Sequence, residues 1–223
     1  MVYFAYSSYP ILVFNVHDLF KDIPLKSVID DALIGNKTMK RVIVCTRTRT
    51  AVSMLKGRDV WWEDEVRKVE TAGNPDFPAE VMEAEDPLFI LYTSGSTGKP
   101  KGVVHSCGGY MVYTNYTFVN TFQYQPADIF FCTADIGWIT GHSYIVYGPL
   151  LNRNTTVLFE GKPIRTPDAS TFWRVINEHK VNVMFTAPTA IRAIKKEDPN
   201  GEFIKKYDLS SLRIQFLAGE RCD

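Results

Sequence analysis

Residues 92–102, Tyr-Thr-Ser-Gly-Ser-Thr-Gly-Lys-Pro-Lys-Gly, gather hydroxyls, glycines and lysines into one short stretch. Gly95, Gly98 and Gly102 permit backbone geometries that a Cβ would block, so successive N–H groups can turn inward as a nest for anionic oxygen. The hydroxyls of Thr93, Ser94, Ser96 and Thr97 add donors. Lys99 adds a mobile positive charge suited to the outer phosphates of a nucleotide, and Pro100 biases that lysine away from helix. The pattern predicts a phosphate-binding loop. Two familiar loops do not fit it. A Walker loop needs four residues before its Gly-Lys pair and a Ser or Thr after it, whereas two residues separate Gly95 from Gly98 and Pro100 follows the lysine. A hydrolase elbow needs Gly-x-Ser-x-Gly, and Gly95-Ser96-Thr97-Gly98 has the wrong spacing for a serine nucleophile. The bland alternative is a polar linker between lobes, which the density of hydroxyls and lysines argues against.

The elements that must hold this loop read as α/β throughout. Residues 11–16, 42–45, 88–92, 129–132, 155–159, 183–186 and 212–217 have the apolar, β-branched character of strands, and 88–92 reads as a buried one feeding the loop. Helices are expected at 25–33, 59–69, 109–122, 141–150 and 187–196. One more follows Pro167, with Phe172, Val175, Ile176 and His179 on a common face. Strands alternating with helices predict parallel pairing. Gly73, Pro75 and Pro78 among acidic residues mark a connector at 71–87, dividing a small α/β lobe at 1–70 from a larger one at 88–223. Ligands of open α/β sheets collect beyond the carboxyl ends of strands. That rule draws together Tyr92-Thr93, Ala134-Asp135, Thr186-Ala187 and Ala218-Gly219. From the residues alone, Trp138 and Ile139 read equally well as core packing or as a pocket wall. His142 reads as a histidine held by a structural hydrogen bond, because no Cys, His or carboxylate stands at ligand spacing.

Composition narrows the partners. The 223 residues are 45% hydrophobic and 13% aromatic, and 25 Lys plus Arg balance 25 Asp plus Glu, so the chain lacks the broad basic field that recruits nucleic acid. Cys45, Cys107, Cys132 and Cys222 are scattered, without Cys-x-x-Cys or zinc spacing, and are expected as free thiols. No apolar run approaches the ~20 residues of a membrane span, and the N-terminus lacks the positive start of a secretory signal. An intracellular, cytoplasmic chain is expected, with an organelle left open. Metal ligands and oligomeric state are not assigned.

The loop resembles the signature of the adenylate-forming superfamily, which includes acyl-CoA synthetases, adenylation domains and luciferases. The likeness continues through Asp86-Pro87-Leu88-Phe89-Ile90-Leu91, His105-Ser106-Cys107-Gly108-Gly109-Tyr110, residues 132–144, Tyr147-Gly148-Pro149-Leu150, Phe159-Glu160-Gly161 and Thr186-Ala187-Pro188-Thr189-Ala190-Ile191-Arg192. These segments are similar to the acetyl-CoA synthetase and propionyl-CoA synthetase branch, from about residue 24 onward. The resemblance implies layered sheets flanked by helices, as part of a large N-terminal domain. It implies a reaction joining ATP, with Mg2+, to acetate or propionate as an acyl-adenylate that CoA then cleaves. By the same token Thr93, Ser94, Gly95, Ser96, Thr97, Gly98 and Lys99 bind phosphate, with Thr97 and Lys99 catalytic. Gly219, Glu220 and Arg221 lie beside the adenine. Trp138, Ile139, Thr140 and Ala218 line the acyl pocket, and Thr140 also faces CoA. Arg221 stands where the family has proline, and only Lys21 keeps a positive charge where the family grips CoA phosphates. Family members are several times longer, which suggests an internal or truncated fragment, inactive or nearly so alone. A non-catalytic remnant that binds nucleotide weakly or serves as an interaction module is one alternative. A fragment of an amino-acid adenylation domain is another, with Asp135 the obvious partner for a substrate amine.

Overall fold

Val42, Ile43 and Val44 are β-branched in succession, and they form the middle of the first sheet. The computed structural model describes residues 11–14, 17–18, 21–22, 25–46, 51–73, 78–93 and 98–222, and the chain divides into two units, 1–81 and 82–223. The first unit contains β1 (Ile11–Phe14), β2 (His17–Asp18), β3 (Lys21–Asp22), α1 (Leu25–Ala32), β4 (Val42–Cys45), β5 (Asp59–Trp61) and α2 (Trp62–Thr71). Its parallel sheet runs β1-β4-β5, while β2 and β3 pair antiparallel. Val42 and Val44 are fully buried and alternate with half-buried Ile43 and Cys45, so the strand's two faces differ as a period of two requires. Ile29 of α1 packs against the two valines.

Residues 59–61, expected to open a helix, form β5 instead. Asp59 explains the change. Its carboxylate accepts the Leu55 N–H at 2.8 Å, pairs with Lys26 at 2.7 Å and meets Arg58 Nε at 2.6 Å. Those anchors hold the segment extended alongside β4, and the helix starts only where Glu63, Asp64 and Glu65 complement its dipole.

The second unit begins with β6 (Pro87–Thr93) and β7 (Lys101–Ser106), followed by α3 (Cys107–Asn120) and β8 (Ile129–Cys132). Next come α4 (Ile139–Gly141), which continues through a π-helical stretch (His142–Tyr147) into α5 (Gly148–Leu151), and β9 (Thr155–Thr156). The unit finishes with α6 (Thr171–His179), β10 (Val183–Thr186), α7 (Pro188–Glu197), a 3₁₀ turn (Ile204–Lys206) and β11 (Ile214–Leu217). The order β11-β10-β8-β9 is parallel throughout. Alternate residues of β8 and β10 enter different cores. Phe131 and Met184 join Phe172, Val175, Ile176 and Ile194 from α6 and α7, whereas Phe130, Cys132, Val183 and Phe185 join Phe118 of α3 and Ile145 of the π-helix. With both faces covered, the sheet is the middle of an α/β/α sandwich, and its central strand is buried along its length.

Several expectations change here. The stretch at 88–92 is one arm of an antiparallel hairpin rather than a buried strand, with Tyr92 63% exposed. The 155–159 strand shrinks to Thr155–Thr156, although Val157 N–H still bonds the Phe130 carbonyl at 2.9 Å. Pro167 precedes α6 by several residues, since Asp168 and Thr166 carbonyls first take the Thr171 hydroxyl, and His179 ends that helix exposed rather than on its buried face. The last strand starts at Ile214, two residues later than expected.

Candidate functional site

Parallel register places the carboxyl ends of β8, β10 and β11 side by side. Thr133 follows β8, and its N–H bonds the Phe185 carbonyl at 2.9 Å; its hydroxyl lies 2.6 Å from that of Thr186, the last residue of β10. Ala218 N–H extends the β11 ladder to the Thr186 carbonyl at 3.2 Å. Three strand ends are thus laced into one polar rim. Cys132, just below it, is 1% exposed, and burial pushes its thiol up to about 12, which makes it an inert core group at neutral pH.

From this rim two loops rise. Asp135 Oδ1 accepts the Gly137 N–H at 2.6 Å, and the Trp138 N–H returns to the Asp135 carbonyl at 3.0 Å, which turns the chain before α4. Trp138 is 48% exposed, so it is not a core residue; Ile139 and Thr140 are half-buried. Gly141 lets the turn close, because a Cβ there would lie 2.2 Å from the Asp135 carbonyl oxygen and 2.6 Å from Ile136 Cα. The second loop is Ala218–Arg221, all exposed, with Gly219 at φ +103°. Few L side chains adopt that conformation. Glu220 does not point away from the protein: its carboxylate accepts the Thr189 N–H at 2.6 Å and meets Arg192 Nη2 at 2.6 Å.

The hairpin β6–β7 carries the third part. Thr93 and Lys101 are direct partners at one end of it. Ser94, Gly95, Ser96 and Thr97 lie outside the described residues; Gly98 and Lys99 are exposed. The base of the hairpin is fixed by Phe89, whose ring lies 4.8 Å from His105, 4.9 Å from Tyr110 and 5.0 Å from His142. His142 is buried, and its Nδ1–H donates to the Trp138 carbonyl at 2.8 Å. One residue therefore touches both the turn of the acyl-pocket candidates and the strand that leads to the phosphate-loop candidate. Tyr110 hydroxyl lies 2.7 Å from Ser143 Oγ, and burial pushes its pKa up to about 12. Burial, with His142 nearby, lowers that of His105.

The Trp138–Thr140 and Ala218–Arg221 segments accordingly share one end of one sheet. Lys99 and Gly98 belong to the separate hairpin, joined to that end through Phe89 and His142. Sequence reasoning missed the Thr133–Thr186 pair, the aromatic setting of His142 and the Glu220–Arg192 contact. Only the last left a signal: Ala187-Pro188 opens a helix with no side chain able to cap it.

Residues 15–223 match the AMP-binding enzyme family. Among curated proteins, an acetyl-coenzyme A synthetase of Parvibaculum lavamentivorans is 54% identical over 200 residues, 90% of this chain and 30% of that protein. One from Syntrophobacter fumaroxidans is 55% identical over 201 residues, again 90% and 30%, and one from Rhodobacter capsulatus 53% over 197 residues, 88% and 29%. The chain spans about a third of the length of these relatives.

Proposed function

The chain belongs to the AMP-binding enzyme family, and from that premise we propose that it is the ATP- and AMP-binding part of a short-chain acyl-CoA synthetase, an acid–thiol ligase acting on acetate or propionate. The observation that carries this reading is the rim itself. Parallel strands deliver the paired hydroxyls of Thr133 and Thr186 and the exposed, positive-φ Gly219 turn to one edge, where Cys132 is buried and inert. Lys99 and the hydroxyls of residues 93–97 hold the phosphates and neutralise charge as a carboxylate attacks the α-phosphorus. Gly219, Glu220 and Arg221 border the adenine through their backbone. Trp138, Ile139, Thr140 and Ala218 enclose the short acyl chain, with Thr140 also toward CoA. Among the described residues no three His, Cys, Asp or Glu side chains gather to hold a metal ion. Magnesium would therefore enter on the phosphates, where it supplies charge neutralisation. Asp135, the partner an amino-acid substrate would need, already has one oxygen held by Gly137 N–H, which favours the simple carboxylate.

Partners on this reading are small molecules. Among the described residues no helix is long and apolar enough to cross a membrane. The test exchanges this chain for the matched segment of the Syntrophobacter fumaroxidans relative and follows incorporation of labelled pyrophosphate into ATP. Exchange that requires acetate or propionate is expected. A folded chimera that binds ATP yet exchanges with neither acid overturns the proposal.

A further inference from the structure

Helix α7 starts badly by its own sequence. Its N-cap position is Ala187, which has no side-chain acceptor, and its first residue is Pro188, so Thr189 carries the first N–H in need of a partner. Glu220 supplies that partner from 31 residues away, placing one carboxylate oxygen 2.6 Å from Thr189 N and a negative charge at the positive end of the helix. One turn further along α7, Arg192 meets the other carboxylate oxygen at 2.6 Å and reaches the Arg221 carbonyl with Nη1 at 3.3 Å. The loop after β11 is therefore pinned twice. Ala218 is tied to Thr186 of the sheet, and residues 220–221 are tied to α7. Gly219 alone stands between the two anchors, at φ +103° with open space where its side chain would be.

We propose that Arg192 is a positioning residue of the nucleotide site, which with Glu220 clamps the Ala218–Arg221 loop so that the Gly219 backbone, not the Glu220 carboxylate, faces the purine. This rests on the nucleotide reading of the rim. Both oxygens of Glu220 are turned toward α7, so its charge is spent on the helix and the guanidinium. The clamp acts on the adenosine half of the ligand, which AMP and ATP share, whereas Lys99 acts on the phosphates that AMP lacks. The two residues should leave opposite fingerprints.

The experiment titrates the 223-residue chain with AMP and with magnesium-ATP by calorimetry, as wild type and as Arg192→Ala, Arg192→Lys, Glu220→Gln and the Arg192→Ala/Glu220→Gln double variant, alongside urea unfolding of each. Arg192→Ala is expected to weaken both nucleotides equally, by about fivefold to tenfold, the scale of a lost cap or a part-exposed ion pair. Arg192→Lys recovers part of the loss, because it restores one arm of the contact but not both. The double variant loses less than the product of the singles, since the two side chains act as one unit. A purely structural ion pair would lower the urea midpoint and leave both affinities alone, and that result overturns the clamp. So does a loss confined to ATP, or strict additivity. A wild-type chain that binds neither nucleotide overturns the nucleotide reading instead, which the comparison of variants against wild type keeps separate.

Discussion

Replacing Gly141 with alanine tests the geometry of the site without touching a proposed ligand group. On helix propensity alone the change should help by about 1 kcal/mol, because alanine loses less backbone freedom than glycine. Packing says the reverse. The added methyl would sit 2.2 Å from the Asp135 carbonyl oxygen and 2.6 Å from Ile136 Cα, both backbone atoms, where ordinary contact begins near 3.4 Å. The 135–140 turn must therefore move by about 1 Å, and overpacking of this kind costs about 1–3 kcal/mol. Contacts this short with backbone atoms put the cost in the upper part of that range, about 2–3 kcal/mol, so after the propensity gain a net loss of roughly 1–2 kcal/mol remains, a fall of about 1 M in the urea midpoint of the second unit at ordinary slopes. The same movement displaces Trp138, Ile139 and Thr140, and a misplacement of about 1 Å lowers rates on the order of a hundredfold in the acid-dependent exchange assay. An unchanged or higher midpoint would show that the turn does not press on Gly141 and that its position in the fold is wrong.

Three further outcomes follow from other parts of the chain. Lys26→Met leaves Asp59, whose side chain is fully buried, without one of its two cationic partners; breaking such a pair costs about 3–5 kcal/mol, read as loss of the first unit's cooperative unfolding at a much lower urea concentration. Burial depresses the His105 pKa below its usual 6.5, so the unfolded chain takes up the proton first: stability is full above pH 6.5 and falls as pH drops through the folded value, and His105→Phe should flatten that limb of the urea midpoint against pH. Against the cost of burial, hydrogen bonds from Arg58, Lys26 and Leu55 lower the Asp59 pKa, so its contribution is present above the usual 3.8 and goes as pH falls through the folded value. Ala218→Val, in the chimera, should shift kcat/KM from propionate toward acetate by up to about tenfold, since one methylene in a pocket is worth about 1–3 kcal/mol; an unshifted ratio removes Ala218 from the acyl pocket.

The layered α/β class was legible because its signals are local. The apolar runs 42–45, 129–132 and 183–186 are strands to the residue. What escaped was set by distant partners. Asp59 reads as a helix opener until Lys26, Arg58 and the Leu55 amide hold it extended. The apolar stretch at 88–92 looks buried because nothing local reveals that β7 will pair with it as a two-stranded hairpin, turning Ile90 and Tyr92 outward. Likewise His142 gave no hint of its seat against Phe89, which comes from a strand more than fifty residues earlier. At the site, motif order located the strand ends, while side-chain directions are set by distant partners: the Glu220 carboxylate turns to α7, 31 residues away in the chain.

The central claim is that this chain cradles the phosphates of a nucleotide. Its most direct test is a magnesium titration of wild type and Lys99→Ala with ATP and with AMP. A lysine assigned to the outer phosphates makes charge-assisted contacts that AMP cannot offer, so the variant should bind ATP roughly tenfold or more weakly while AMP affinity stays within about twofold. Equal effects on the two nucleotides, or none on either, would contradict the phosphate-loop assignment.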